Sequence, residues 1–317
     1  MHVLITGGAG FIGSNLVAQC LKEGWYVDTV DDLSNGHLEF LPEGQICIQE
    51  DFAGDRILKE IRSGRYKVVF HIAAVPRVSY SVEHPLETND VNVSKTLKLI
   101  EACRGNVQRV VFASSSSVYG GAHGLPTAEH YPKEPKSPYA LQKSIIEDYL
   151  KLYSGLYGLD SACLRFFNVF GPNQLGDSPY ATAVSAWLTA IKKGVPMRSD
   201  GDGTQSRDMC YVDNVVDACI RAGRFEGKLN AECFNVACGD RTTNNEILEA
   251  LMKRYPDAQV LHAPWRAGDV MHTQADVQKA LNVLKYVPVV RFWAGFDKTV
   301  EWYEQNWKAI KKMKLNT

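Results

Sequence analysis

Tyr139 and Lys143 stand four residues apart behind Ser137-Pro138. That spacing is one turn of a helix, so a phenol and an ammonium project from one face and meet at one place. A tyrosine ordinarily gives up its proton near about pH 10. A neighbouring cation favours the phenolate, which turns the pair into a general base usable at neutrality. By itself the pair reads as a surface tyrosine beside a surface lysine, and it is the surrounding chain that reverses that reading.

Alternating strands and helices would position these groups. Residues 2–6 form a short aliphatic strand running into Gly7-Gly8-Ala9-Gly10-Phe11-Ile12-Gly13, with an amphipathic helix over 14–21. Glycines at 7, 10 and 13 permit a tight turn, close approach of a pyrophosphate and close packing of helix on strand. The helix start offers free N–H groups to the phosphates. A second strand, 25–30, ends in Asp31-Asp32, which puts a carboxylate at the adenosine ribose. It accepts from ribose hydroxyls and repels a 2′-phosphate, so NAD is expected rather than NADP. A third strand is expected over 45–49, followed by Asp51-Phe52 to hold the adenine.

Residues 68–72 read as a buried parallel strand, and Ala73-Ala74 leave room for a ligand against the backbone. Asn92 opens a helix over 94–104 and is a candidate cofactor contact. The strand 109–113 delivers Ser114-Ser115-Ser116-Ser117-Val118-Tyr119-Gly120 to the carboxyl edge of the sheet, where open α/β folds bind ligands. A sixth strand, 161–166, leads to Phe167-Asn168-Val169-Phe170-Gly171-Pro172. The reading is an α/β protein: a Rossmann doubly wound parallel sheet over 1–172, then a smaller α/β substrate lobe over 173–317, with 233–237 returning to the main sheet. In the second lobe Arg207 and Arg266 offer guanidinium forks for phosphate, against the plainer alternative of surface ion pairs.

Lys+Arg 35 against Asp+Glu 36 leaves a net charge of -1, which argues against a nucleic-acid partner. The eight cysteines show no zinc spacing, so reduced thiols, no metal and a cytoplasmic setting are expected. No signal peptide and no membrane-spanning stretch is read, so no membrane partner is expected.

Taken together, Gly-x-x-Gly-x-x-Gly at 7–13, Ser-Ser-Ser-Ser-Val-Tyr-Gly at 114–120, Tyr-x-x-x-Lys at 139–143, Arg-Phe-Phe-Asn at 165–168 and Arg-Asp-x-x-Tyr-Val-Asp at 207–213 resemble the extended short-chain dehydrogenase/reductases. Within them the chain looks like the UDP-hexose 4-epimerases, particularly those accepting N-acetylated sugars. The resemblance implies tightly held NAD, a UDP-sugar substrate and a homodimer formed through the helices after Asn92 and after Tyr139. It implies Tyr139 as base, Lys143 as the group lowering its pKa and anchoring the ribose, and Ser115 as the active-site hydroxyl. Cofactor contacts carry over to Gly7, Gly10, Phe11, Ile12, Gly13, Asp31, Asn35, Gly36, Asp51, Phe52, Ala73, Ala74, Asn92 and Phe166. Sugar-nucleotide contacts carry over to Ser117, Asn168, Ala183, Val184, Arg198, Arg207, Arg266 and Asp269. Thr273 matches the position where a tyrosine would narrow the sugar pocket.

Dehydratases and decarboxylases on this scaffold are expected to carry an acidic residue just after the active-site hydroxyl, where this chain has Ser116 and Ser117. A UDP-glucuronate 4-epimerase shares the serine motif and is the alternative. A non-catalytic NAD-binding sensor would be expected to have lost Tyr139 or Lys143.

Overall fold

The computed structural model describes residues 1–121, 124–178, 181–265 and 270–313. The elements run β1 (His2–Thr6), α1 (Phe11–Lys22), β2 (Tyr26–Val30), β3 (Cys47–Ile48), α2 (Asp55–Arg62), β4 (Val68–His71), α3 (Val78–Glu83) and α4 (Pro85–Asn89). A π-helical turn, Asp90–Lys95, leads into α5 (Thr96–Cys103), β5 (Arg109–Ser115), α6 (Pro138–Tyr157), β6 (Ser161–Phe166) and β7 (Val169–Phe170). Then come α7 (Ala183–Lys193), β8 (Met197–Asp200), β9 (Ser206–Arg207), β10 (Cys210–Tyr211), α8 (Val212–Arg224) and β11 (Glu232–Val236). The chain closes with β12 (Thr242–Thr243), α9 (Asn244–Arg254), β13 (Val260–Ala263), α10 (Gln278–Leu284) and α11 (Phe292–Ile310).

The central sheet has the order β11-β6-β5-β4-β1-β2-β3, and every pairing in it is parallel. Both faces are covered, which is why most positions of its inner strands are apolar and buried. Alternate residues serve opposite cores: Val3, Ile5, Phe70 and Val111 pack with α1 and α8, while Leu4, Val69, Val110 and Phe112 pack with α2, α5 and α6. The third strand is shorter than its apolar run suggests, Cys47–Ile48 only. The expected return to the sheet is made by β11, in register with β6 from Glu232↔Ala162 to Val236↔Phe166. Because α8 also packs on α1, the chain re-enters the first lobe before residue 233.

The helix carrying Tyr139 and Lys143 has legible ends. Ser137 Oγ accepts from the Ala140 N–H at 3.2 Å, Pro138 occupies the first turn, and Gly158 at φ 69° closes it. Beside the central sheet, the described residues form three two-stranded sheets, β7 with β10, β9 with β12, and β8 with β13. No helix of the described residues is long and apolar enough to cross a membrane.

Candidate active site

A cavity of about 1280 Å³ runs along the carboxyl edge of the central sheet, from the glycine turn to the second lobe. At one end lie Gly7, Gly10, Phe11, Ile12 and Gly13. A side chain at Gly13 would place its Cβ 2.0 Å from the Gly7 carbonyl oxygen, and Gly7 itself sits at φ 68°. The turn therefore exists only with glycine at both positions. Gly10 begins α1 with no side-chain cap, so the first N–H groups of the helix face the cavity as an anion cradle.

Asp31, Asn35, Gly36 and Phe52 line the next stretch, with Ala73, Ala74 and Phe166 across the sheet edge. Asp31 is only 8 % exposed, and its carboxylate accepts from the N–H of Ala9 at 3.0 Å and of Leu33 at 2.9 Å. Burial holds its pKa above the usual carboxylate range against those two donors. A glycine cradle for a diphosphate and a fixed carboxylate beyond it fit a dinucleotide without a 2′-phosphate, which is NAD.

In the middle of the cavity, Ser115, Tyr139 and Lys143 come together. Ser115 lies close enough to the Tyr139 hydroxyl to favour its ionised form. Ser115 Oγ already accepts from Ser117 N–H at 3.2 Å and from Ser117 O–H at 2.9 Å. Both its acceptor sites are thus filled, which leaves its own proton to donate. The Tyr139 N–H donates to Ser81 Oγ at 3.0 Å, which fixes the start of the helix against α3. Lys143 Nζ donates to the Ala113 carbonyl at 2.7 Å and lies 5.9 Å from the Tyr139 ring centre.

The electrostatics correct one expectation. Lys143 was expected to lower the Tyr139 pKa, but among the chain's own groups burial dominates. It pushes the phenol up to about 12, with the Ser115 hydroxyl opposing. Burial likewise pulls Lys143 down to about 7, opposed by the Glu147 carboxylate. Two charges packed in one dry wall each resist forming, so a further positive charge is needed to ionise the phenol.

Glu147 lies one turn beyond Lys143 on the same helix face. It accepts from Ser114 Oγ at 2.6 Å and takes Arg165 through both oxygens, at 2.9 Å from Nε and 2.7 Å from Nη2. Arg165 continues to the Tyr119 hydroxyl at 2.8 Å. This buried chain props the Ser114–Tyr119 segment from behind. Its spacing from Lys143 was a signal available in the sequence; its pairing with Arg165, from a different strand, was not.

At the far end, Ser117, Asn168, Arg207 and Thr273 line the cavity together with His272 and Arg77, two residues the motif reading passed over. Thr273 Oγ1 accepts from the Asn168 side-chain amide at 3.3 Å. Five expected contacts do not reach the cavity wall. Asn92 is buried, its carboxamide consumed by Val75 N–H at 2.8 Å, Val75 O at 3.0 Å and Gln142 at 2.8 Å. Asp51 binds Ala53 N–H at 2.8 Å and Lys95 at 2.7 Å. Ala183 opens α7, where Val184 turns into the core with 0 % exposure. Arg198 takes the outward position of β8 and pairs with Asp200 at 2.8 Å. Arg266 and Asp269 lie outside the described residues.

Comparison with known proteins supports the same chemistry. The chain is 38% identical over 314 residues to a UDP-glucose 4-epimerase of Mycolicibacterium smegmatis, covering 96% of this chain and 98% of that one. It is 31% identical over 330 residues to a UDP-glucuronate 4-epimerase of Thermodesulfobacterium geofontis, covering 99% of each. Among solved structures, a UDP-N-acetylglucosamine 4-epimerase from Methanobrevibacter ruminantium M1, in complex with UDP-N-acetylmuramic acid, superposes with a TM-score of 0.90 at 36% identity, covering 96% of this chain and 98% of that one. The model described as the NAD dependent epimerase/dehydratase family matches residues 3–237, and with the glycine cradle, the buried acid and the Ser-Tyr-Lys cluster in place, the chain belongs to that family of NAD-dependent enzymes.

Proposed function

We propose that the protein is a UDP-hexose 4-epimerase that interconverts UDP-N-acetylglucosamine and UDP-N-acetylgalactosamine through a 4-keto intermediate. The observation that carries the reading is that Tyr139, Ser115 and Lys143 line one cavity that joins a dinucleotide cradle to the Arg207 and Thr273 end. Bound NAD supplies a reversible hydride acceptor and a cationic ring. Tyr139, as phenolate, removes the proton of the sugar's C4 hydroxyl, and Ser115 holds that oxygen's hydrogen-bond line in place. Arg207 anchors the diphosphate while the ring turns, and the tyrosine returns the proton to the C4 oxygen; the inversion lies in the hydride, which returns to the opposite face of C4. No net oxidation results.

Ser116 and Ser117, where dehydratases and decarboxylases would carry an acid, support epimerisation alone. UDP-glucuronate is the competing substrate, favoured by the glucuronate-acting relative. Purified protein supplied with UDP-N-acetylglucosamine should release UDP-N-acetylgalactosamine and, on denaturation, NAD. Turnover of UDP-glucuronate alone would overturn the substrate choice, and bound NAD without any turnover would support a sensor.

Thr273 is proposed to set the sugar size. Thr273→Tyr fills the space beside Asn168, so kcat/KM for the N-acetylated sugar should fall by roughly 10–100-fold while UDP-glucose turnover holds. Equal losses on both substrates would sink the assignment.

We further propose a cytoplasmic homodimer. α6 presents Leu152 at 51% and Leu156 at 62% exposure, and α4 presents Leu86 at 86%, an apolar set suited to a two-fold contact. All eight cysteines are free thiols, as in a reducing compartment. Sedimentation equilibrium should give twice the 35.3 kDa chain mass; a monomer at micromolar concentration would refute the dimer.

A further inference from the structure

Asp208, next in sequence to Arg207, is fully buried at 0 % exposure. Its carboxylate accepts three backbone N–H bonds: Oδ1 from Cys238 at 2.9 Å, and Oδ2 from Gly239 and from Ala275, each at 3.0 Å. Cys238 and Gly239 form the turn beyond β11, the edge strand of the central sheet. Ala275 lies two residues past Thr273. The backbone of Asp208 is committed as well, its N–H donating to Thr273 Oγ1 at 3.2 Å and its carbonyl accepting from Asn168 at 3.4 Å. Arg207, Thr273 and Asn168 are the residues that line the far end of the cavity. A single carboxylate thus sets the spacing of the three segments that build it.

We propose that Asp208 is the positioning residue of the sugar-nucleotide half of the site, clasping the Arg207, Cys238–Gly239 and Thr273–Ala275 segments so that Arg207 and Thr273 meet the substrate in register. The proposal rests on the reading of a UDP-sugar as substrate. A carboxylate suits the task because an ionised group accepts on both oxygens at once, whereas an amide at the same place turns N–H groups toward N–H donors.

The groups around Asp208 give the clasp a pH dependence. Asp240 in the turn after β11, the Cys210 thiol and the Tyr286 phenol beyond α10 all lie within electrostatic reach of it, and Cys238 touches it through its N–H. Arg291 is spent on Asp240 at 2.9 Å and the Cys238 carbonyl at 3.1 Å. With burial raising it and the three N–H donors opposing, the carboxyl titrates at about 7. Below that pH one oxygen becomes a donor among donors, and the clasp loosens.

The test is Asp208→Asn in the NAD-loaded, full-length enzyme. KM for the UDP-sugar should rise roughly tenfold or more while kcat stays within about threefold and NAD content is unchanged. Wild-type KM should climb as pH falls through about 7, and that climb should vanish in the variant. An unchanged KM, or a joint fall of kcat, NAD content and melting temperature, would overturn the proposal. If the variant fails to fold, a wild-type KM flat across that pH range overturns it equally. Calorimetric titration with UDP separates this inference from the functional reading. UDP binding that weakens in the variant and at acid pH upholds the clasp even if no UDP-sugar is turned over; UDP binding indifferent to both refutes it even in an active epimerase.

Discussion

Tyr139→Phe is expected to lower epimerisation by about 10³-fold, the scale on which a positioned proton-transfer group acts, while the protein keeps its full complement of NAD. The variant deletes one oxygen and leaves the ring that fills the wall between Ser115 and Lys143. That oxygen lies beside Ser115, whose acceptor sites are both taken by Ser117 and whose proton is left to donate. Since the tyrosine is 9% exposed and its N–H is pinned to Ser81, the phenylalanine has no alternative place to go and the fold should hold. Turnover of UDP-N-acetylglucosamine and NAD released on denaturation measure the two halves of the claim. Retention of more than about a tenth of wild-type activity would mean another group carries the proton.

Arg165→Met should produce the largest loss of stability. The Arg165–Glu147 pair is 4% and 2% exposed and its closest contact is 2.7 Å. Removing the cation leaves a buried carboxylate with Ser114, the more distant Lys133 at 3.8 Å, and the field of Lys143 one turn away. Breaking one side of such a pair costs about 3–5 kcal/mol, a drop in melting temperature on the order of 10 °C for a chain of this size. The double variant Glu147→Leu with Arg165→Met removes both charges and should recover most of that loss. A single variant melting within about 2 °C of wild type would show that water reaches the pair.

Much of the architecture could be read in advance because it is written locally. The Ser137-Pro138 start of α6 and its Gly158 end specify a helix without any tertiary context, and that helix alone sets the Tyr139 to Lys143 spacing. The glycine turn was legible for the same reason: only glycine tolerates a carbonyl 2.0 Å from where Cβ would stand. What escaped was non-local or arithmetical. Asn92 has the chemistry of a cofactor contact, yet its carboxamide is used to tie the loop after β4 to Gln142 on α6. Arg198 and Val184 follow strand and helix periodicity away from the cavity, which a family correspondence does not encode. The Glu147–Arg165 pair and the Asp208 clasp join residues 18 and up to 67 positions apart, and nothing in either neighbourhood announces its partner. The sign of the Tyr139 shift was missed because burial and a nearby cation act in opposition, and their balance depends on how much water the folded wall excludes.

The most direct measurement of the central claim is the ultraviolet difference titration of NAD-loaded enzyme against its Tyr139→Phe variant. The chain's own groups, Lys143 included, hold the phenol at about 12, so a working base requires the positive charge of the bound cofactor to bring it down. The difference spectrum should show one phenolate forming between roughly pH 6 and 8, with kcat rising on the same midpoint. A phenolate band that appears only above about pH 10 in an enzyme already turning over at neutrality would contradict the assignment of Tyr139 as the base.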